Sequence, residues 1–302
     1  MDIFDNTKYS KLICELLNDV QYISISKSGK MSGLRKHAEI LVRKILNIGS
    51  NKQLMLGEIR RNTSNKAVNN SLNNLEDNIC DKLIDTVKKI NRISREGAHT
   101  KRIESFTDEE VGEVENAILD LYALLFIKYF QKIKIDVYTE PGILRIFSLL
   151  PPIIRYKTWE YLFEQDRFNI QVVDKLCLSI IKVHNKKTAY QWLERNKEKI
   201  NEIPYPNADE IERFNKMHSI ELSPGESISF ITLNFNEYKN MYDLLHDKIR
   251  SSKTSINESG KMYKTFEETI NYFHRELNGY SSFTDAEFID LMEFVYIGRR
   301  SV

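Results

Sequence analysis

Proline and glycine are scarce in this chain, at 6 and 11 of its 302 residues. Proline ends helices by removing a backbone donor and glycine by its conformational freedom, so their scarcity leaves room for long helices. Cysteine is scarcer still. Cys14, Cys80 and Cys177 stand far apart, with no CxxC pair and no Cys/His cluster. That pattern argues against a zinc site or a disulfide framework and for reduced thiols in a cytosolic protein. An excess of one charge is also missing, because 44 Lys and Arg against 43 Asp and Glu leave a net of +1. The surface as a whole therefore carries no footprint of a nucleic-acid binder, and any contact with RNA has to be local. Long apolar runs are absent too. The longest, from Ala117 to Phe130, contains Asp120 and Lys128 and is shorter than the roughly 20 residues of a membrane span. The opening MDIFDNTKYS lacks the apolar core of a secretory signal. A soluble cytoplasmic protein without a membrane partner is expected.

What is present is ordinary globular material, 41% hydrophobic and 29% charged, which excludes wholesale disorder. A prior of about 150 residues per domain suggests two domains. Residues 1–134 hold 22 Lys and Arg against 18 Asp and Glu, a net of +4, and residues 135–302 hold 22 against 25, a net of −3. Contact with phosphate is thus favoured in the first half.

Apolar residues recur at helical spacing in that half. Leu12, Leu16, Leu17 and Val20 mark one helix, and Leu34, Ala38, Leu41, Val42, Ile45 and Leu46 a second. Between them Ser24–Gly33 reads as a Ser/Gly/Lys loop, with Ser32 as a cap for the second helix. A third pattern covers Leu72 to Ile93, with its stripe at Leu75, Ile79, Leu83, Val87 and Ile90. Gly97 breaks it, and Thr107-Asp-Glu-Glu110 supplies a capping box for a fourth helix reaching about Lys132. Four such helices can close a bundle. After Ile135 the stretch Asp136–Gly142 reads as a connector, which sets the domain boundary at residue 134. Helices then resume over Pro152–Glu164, Ile170–Val183 and Lys187–Ile200, and Ile203-Pro-Tyr-Pro206 ends that series. The stretch Ser219–Phe235 alternates with period two around Ser223-Pro-Gly-Glu226, so a small β-hairpin is expected there, and two helices close the chain over about 262–277 and 285–297. The fold class expected is mainly α, in two domains of residues 1–134 and 135–302.

The stretch that carries chemistry is Arg92-Ile-Ser-Arg95-Glu96-Gly97-Ala98-His99. A guanidinium holds a phosphate and the added negative charge of a pentacoordinate transition state, while imidazole, with an ordinary pKa of about 6.5, moves a proton at neutral pH. Together they can cut RNA without a metal, and no metal or cofactor site is expected. Arg95, Lys101 and Arg102, with Lys88 and Lys89, are candidates for tracking an RNA backbone. His37, His184, His218, His246 and His274 are scattered and lack paired metal spacing.

With this motif between two long helices of an N-terminal bundle, the first 134 residues or so resemble the HEPN superfamily. Arg92 and His99 match its Arg-x(4–6)-His motif at the longest permitted spacing. The Gly97-Ala98-His99 ending and Leu34-Arg35-x-x-x-Glu39 are most similar to the HEPN-like domains of restriction and other bacterial defence proteins. The resemblance implies a homodimeric, metal-independent endoribonuclease in an antiviral defence or toxin setting, with two motifs facing one cleft and RNA, tRNA among the candidates, as substrate. Arg92 would grip the scissile phosphate and His99 would act as general acid or base. Glu39 would orient the motif and Glu96 would orient His99. Residues 135–302 would then serve as a sensing, restraining or partner-binding module.

Other readings stay open. Active members usually carry a polar residue after the arginine, and here that residue is Ile93, which favours a non-catalytic adaptor of a defence complex. A nucleotide-binding regulator using Arg92, Arg95 and Lys101 is a third. In a purely structural reading Arg92 offsets the helix dipole, His99 bonds the turn, and Glu39 pairs with Arg35 and Arg43 four residues away.

Overall fold

The computed structural model describes residues 3–95, 103–139, 141–223, 226–229, 233–252, 263–279 and 285–301. The fold is mainly α. One compact unit consists of Met1–Tyr129 with Asp285–Val302, and a second consists of Phe130–Thr284.

The first unit begins with α1 (Asn6–Leu17), whose N-cap Asp5 accepts the Thr7 amide, and runs on through a π-helical turn at Asn18–Tyr22. The second helix, α2 (Lys27–Leu46), starts well before the loop expected over Ser24–Gly33 would allow. Its cap is Ser26, not Ser32, and the Gly29 amide donates to Ser26 Oγ at 3.1 Å. Gly33 therefore lies inside the helix. A Cβ at this position would overlap the Cγ2 of buried Val20, so the glycine serves a close approach between the π-turn and α2. The expected third helix is two, α3 (Lys66–Asn73) and α4 (Asp77–Arg95), parted by Asn74–Glu76. Each has its own buried stripe, Val68 and Leu72 on α3 and Ile79, Leu83, Val87 and Ile90 on α4. The Thr107 capping box forms as read. The Glu110 amide donates to Thr107 Oγ1 at 3.1 Å, and the Thr107 amide to Glu110 Oε2 at 2.8 Å, opening α5 (Asp108–Ile133).

Ion pairs tie α2 and α4 to α5. Lys30 reaches Glu115 at 2.7 Å and Lys89 reaches Glu113 at 3.4 Å. Inside, α2 buries Leu34, Ala38, Leu41, Val42 and Ile45, and α5 buries Val114, Leu121, Leu124 and Phe126. Each of the larger side chains contributes on the order of 2 kcal/mol of burial.

The C-terminal helix α14 (Ala286–Tyr296) corrects the domain assignment, since 285–302 was expected to belong to the second half. Its Phe288 packs on Phe126 and Tyr129, with ring centroids 6.1 and 4.9 Å apart, and Tyr129 Oη donates to Asp285 at 2.5 Å. Helical spacing announces an apolar face without naming what covers it.

The second unit contains α6 (Pro141–Phe147), α7 (Pro152–Gln165), α8 (Ile170–Val183), α9 (Lys186–Arg195), α10 (Lys197–Asn201), α11 (Ala208–Met217), α12 (Met241–Ser251) and α13 (Phe266–Gly279). An aromatic cluster of Phe130, Phe147 and Trp159, with centroids 4.9 to 5.0 Å apart, anchors α6 and α7. The expected hairpin is present as β1 (Ser219–Ser223) paired antiparallel to β2 (Glu226–Ser229). Phe235 lies beyond it, in a single 3-10 turn. Among the described residues, no helix is long and apolar enough to cross a membrane.

Candidate functional site

The last two turns of α4 present three different faces. Leu83, Val87 and Ile90 continue inward to Ser94, a serine that is 3% exposed where the apolar stripe would place another hydrophobic residue. Its hydroxyl donates to the Ile90 carbonyl at 2.7 Å. Toward α2, Arg35 Nη1 donates to Asn91 Oδ1 at 2.7 Å and to Ser94 Oγ at 3.1 Å. Arg35 Nε lies 4.0 Å from Glu39 Oε1 one turn along α2. Burial raises the Glu39 pKa, against the pull of Arg35, Arg43, the Leu56 amide and Lys36. A polar chain thus runs Glu39, Arg35, Asn91 and Ser94, and it fixes the inner side of α4 next to the motif.

Outward, Lys88, Arg92 and Arg95 are exposed at positions i, i+4 and i+7, on one face of the helix. Among the described residues none of these three cations has an ion-pair partner, whereas neighbouring Lys89 is engaged by Glu113. Arg92 and Arg95 occupy the last turn, where free carbonyls and the negative end of the dipole favour a cation. Ile93 is half-buried.

Four of the expected site residues, Glu96, His99, Lys101 and Arg102, lie outside the described residues. Arg92 and Arg95 share a face, and Glu39 is half-buried on α2 with no ion pair joining it to Arg92. Its ion-pair partner is Arg35, which in turn bonds Asn91 and Ser94 on α4. Asn91 and Ser94 were not singled out from sequence, although Ser94 is visible as a polar break in the Leu83, Val87, Ile90 stripe.

No protein-family model matches the chain, and no curated protein or solved structure shows a significant match to it. What the α4 terminus can do follows from its groups. Two guanidiniums and an ammonium on one face can hold phosphate oxygens. The guanidiniums stay charged and do not move protons, so a partner that titrates near neutral pH has to come from elsewhere. His37 on α2 is not that partner. It is 4% exposed, bound through Nε2 to Tyr122 Oη at 2.9 Å, and burial, helped by Arg299, lowers its pKa to about 3. It stays neutral at physiological pH. Among the described residues no group of three or more His, Cys, Asp or Glu side chains converges as a metal site.

Proposed function

We infer that this protein is a metal-independent endoribonuclease of the HEPN type. It acts as a homodimer, as the effector of a bacterial antiphage or toxin system, with residues beyond the first unit restraining or triggering it. Arg92 holds the scissile phosphate, with Arg95 and Lys88 on the flanking backbone. The substrate's own 2′-hydroxyl attacks the adjacent phosphorus, the bond to the 5′-oxygen breaks, and a 2′,3′-cyclic phosphate and a 5′-hydroxyl result. One copy of His99 takes the 2′-hydroxyl proton and the second delivers a proton to the departing oxygen. The observation that carries this reading is the cationic outer face of α4, without ion pairs among the described residues and held in place from within by the Arg35 bonds to Asn91 and Ser94.

The experiment is cleavage of tRNA and total RNA in EDTA by the wild-type protein, Arg92→Ala and His99→Ala. Cyclic-phosphate ends made by the wild type and by neither variant support the reading. Intact RNA with a folded, dimeric wild type overturns it for the protein alone. The half-buried Ile93 favours a second reading, a non-catalytic adaptor whose α4 face docks an acidic partner. In that case Arg92→Ala weakens partner binding and leaves RNA untouched in every sample.

A further inference from the structure

A cleft of about 520 Å³ opens in the first unit between the C-terminal end of α2, the loop that follows it, and α3. Its charge is one-sided. Lys52, Lys66 and Lys128 line it, and no aspartate or glutamate does. Lys52 and Lys66 are exposed and have no ion pair among the described residues. The neutral part of the lining is divided as well, with Asn70 and Ser71 on α3 and Asn74 at its C-cap on one side and Ile45, Ile48 and Leu75 as an apolar floor.

The walls are held by hydrogen bonds that do not involve the cleft's lysine charges at Lys52 and Lys66. Arg43 donates to the carbonyls of Gly49 and Lys52, each at 2.9 Å, which fixes the loop carrying Lys52. Asn65, the N-cap of α3, donates to Gln53 O and Glu58 Oε2, each at 3.0 Å, which fixes the start of the helix carrying Lys66. Lys128 Nζ donates to Ile45 O at 2.8 Å. A cavity of this size lies within the range of small-ligand sites, and its rigid walls lower the ordering cost of binding.

The geometry points to a binding site for a nucleoside phosphate. The lysines take the phosphate, the asparagine amides meet donors and acceptors on the base or sugar, and the isoleucine floor covers a flat ring. Leu75 precedes α4 and Arg92 lies near its far end, 17 residues on, a rise of about 25 Å. The cleft is therefore separate from the α4 terminus, and a ligand in it acts as an effector and not as the scissile nucleotide.

The test is calorimetric titration of the full-length protein with the 5′-mononucleotides, beside inorganic phosphate and the unphosphorylated nucleosides, at low salt. At least one mononucleotide is expected to bind, with affinity falling about 10-fold or more in Lys52→Ala/Lys66→Ala and in Asn70→Glu. All three positions are exposed, so the thermal midpoint should not move. Arg92→Ala should bind like the wild type. The assignment is overturned if no mononucleotide binds. It also fails if inorganic phosphate or a nucleoside binds equally well, if the double variant keeps wild-type affinity, or if Arg92→Ala loses it. The first and third of these results would leave the ribonuclease reading standing, since that rests on Arg92 and His99.

Discussion

Replacing Asp174 by alanine should cost the second unit about 3–5 kcal/mol, because it leaves two largely buried cations without their carboxylate. Asp174 lies on α8, fully buried. Its Oδ1 accepts from Lys248 Nζ on α12, and its Oδ2 is 3.4 Å from Lys175 Nζ. The Lys248 and Lys175 side chains are only 16% and 19% exposed. Burial lowers the Lys175 pKa even with Asp174 beside it, and burial, with Arg155, Lys175 and Lys248 adding, lowers Lys182 to about 8. The cluster therefore holds more positive charge than the carboxylate offsets. Both tryptophans of the chain, Trp159 and Trp192, belong to this unit, so tryptophan fluorescence reports its unfolding selectively. At about 2–4 °C per kcal/mol for a unit of this size, the midpoint should fall on the order of 10 °C. Lys248→Met should cost a similar amount, whereas Asp174→Leu/Lys248→Met should recover most of it, since an apolar pair removes both charges. A sign also follows for pH. A lysine whose folded pKa lies below its ordinary 10.5 binds fewer protons folded than unfolded between the two values, so its cost is full below about 8 and relieved as pH rises toward 10. The loss in Asp174→Ala should accordingly shrink with rising pH. A loss below about 1 kcal/mol, or strictly additive single effects, would refute this account of the cluster.

Three further outcomes are expected. His37 is held neutral with its pKa lowered to about 3, so the unfolded chain alone takes up that proton below about 6.5; stability present above pH 6.5 is lost as pH falls toward 3, by about 2–3 kcal/mol at pH 4.5. Urea titrations should show a shallower acid slope for His37→Gln, which keeps a partner for Tyr122, and equal slopes would count against the neutral buried imidazole. Arg35→Ala should destabilise the first unit by about 1.5–3 kcal/mol through loss of its charged bonds to Asn91 and Ser94, with Arg35→Lys restoring less than half; a change within about 0.5 kcal/mol by chemical denaturation would remove that brace from the argument. Gly33→Ala gains about 1 kcal/mol of helix propensity but meets Val20, so a net loss of about 1–3 kcal/mol is expected, relieved in Gly33→Ala/Val20→Ala; a stabilised single variant would show that α2 and the π-turn can part without cost.

Elements whose apolar stripe and polar cap agree were the most legible in the sequence, and those with only one clear signal were less so. The α5 stripe and its Thr107 capping box could be read because both signals are local and agree. The reading missed α11, whose single buried residue, Phe214, makes no stripe, although Asn207 and Glu210 form a capping box just after Pro206. It also missed α12, where Met241, Leu244, Leu245 and Ile249 do form a stripe behind the N-cap Asn240. The Ser24–Gly33 segment misled because glycine signals a loop by propensity, while Gly33 answers to a long-range approach by Val20. At the candidate site the outward cations were legible by type. The inward brace was not, because Arg35 and Asn91 lie 56 residues apart and only the packing of α2 on α4 brings them together.

The two readings of Arg92 can be separated by what its neighbours do. A cation in the last turn gains about 0.3–1 kcal/mol from the dipole, and one arginine suffices for that. Adding Lys88 and Arg95 places like charges beside Arg92 at a cost of a few tenths of a kcal/mol per pair, and the carboxylate within a turn of Lys88, Asp85, forms no ion pair with it among the described residues. The added cations therefore yield little or no net stability, and the arrangement is better matched to an external anion than to the helix itself. On this argument Lys88→Ala should leave the thermal midpoint within about 1 °C while weakening RNA binding and lowering its salt dependence by about one counterion. A clear fall in stability with unchanged RNA affinity would assign the basic face to the fold and leave the adaptor as the better reading.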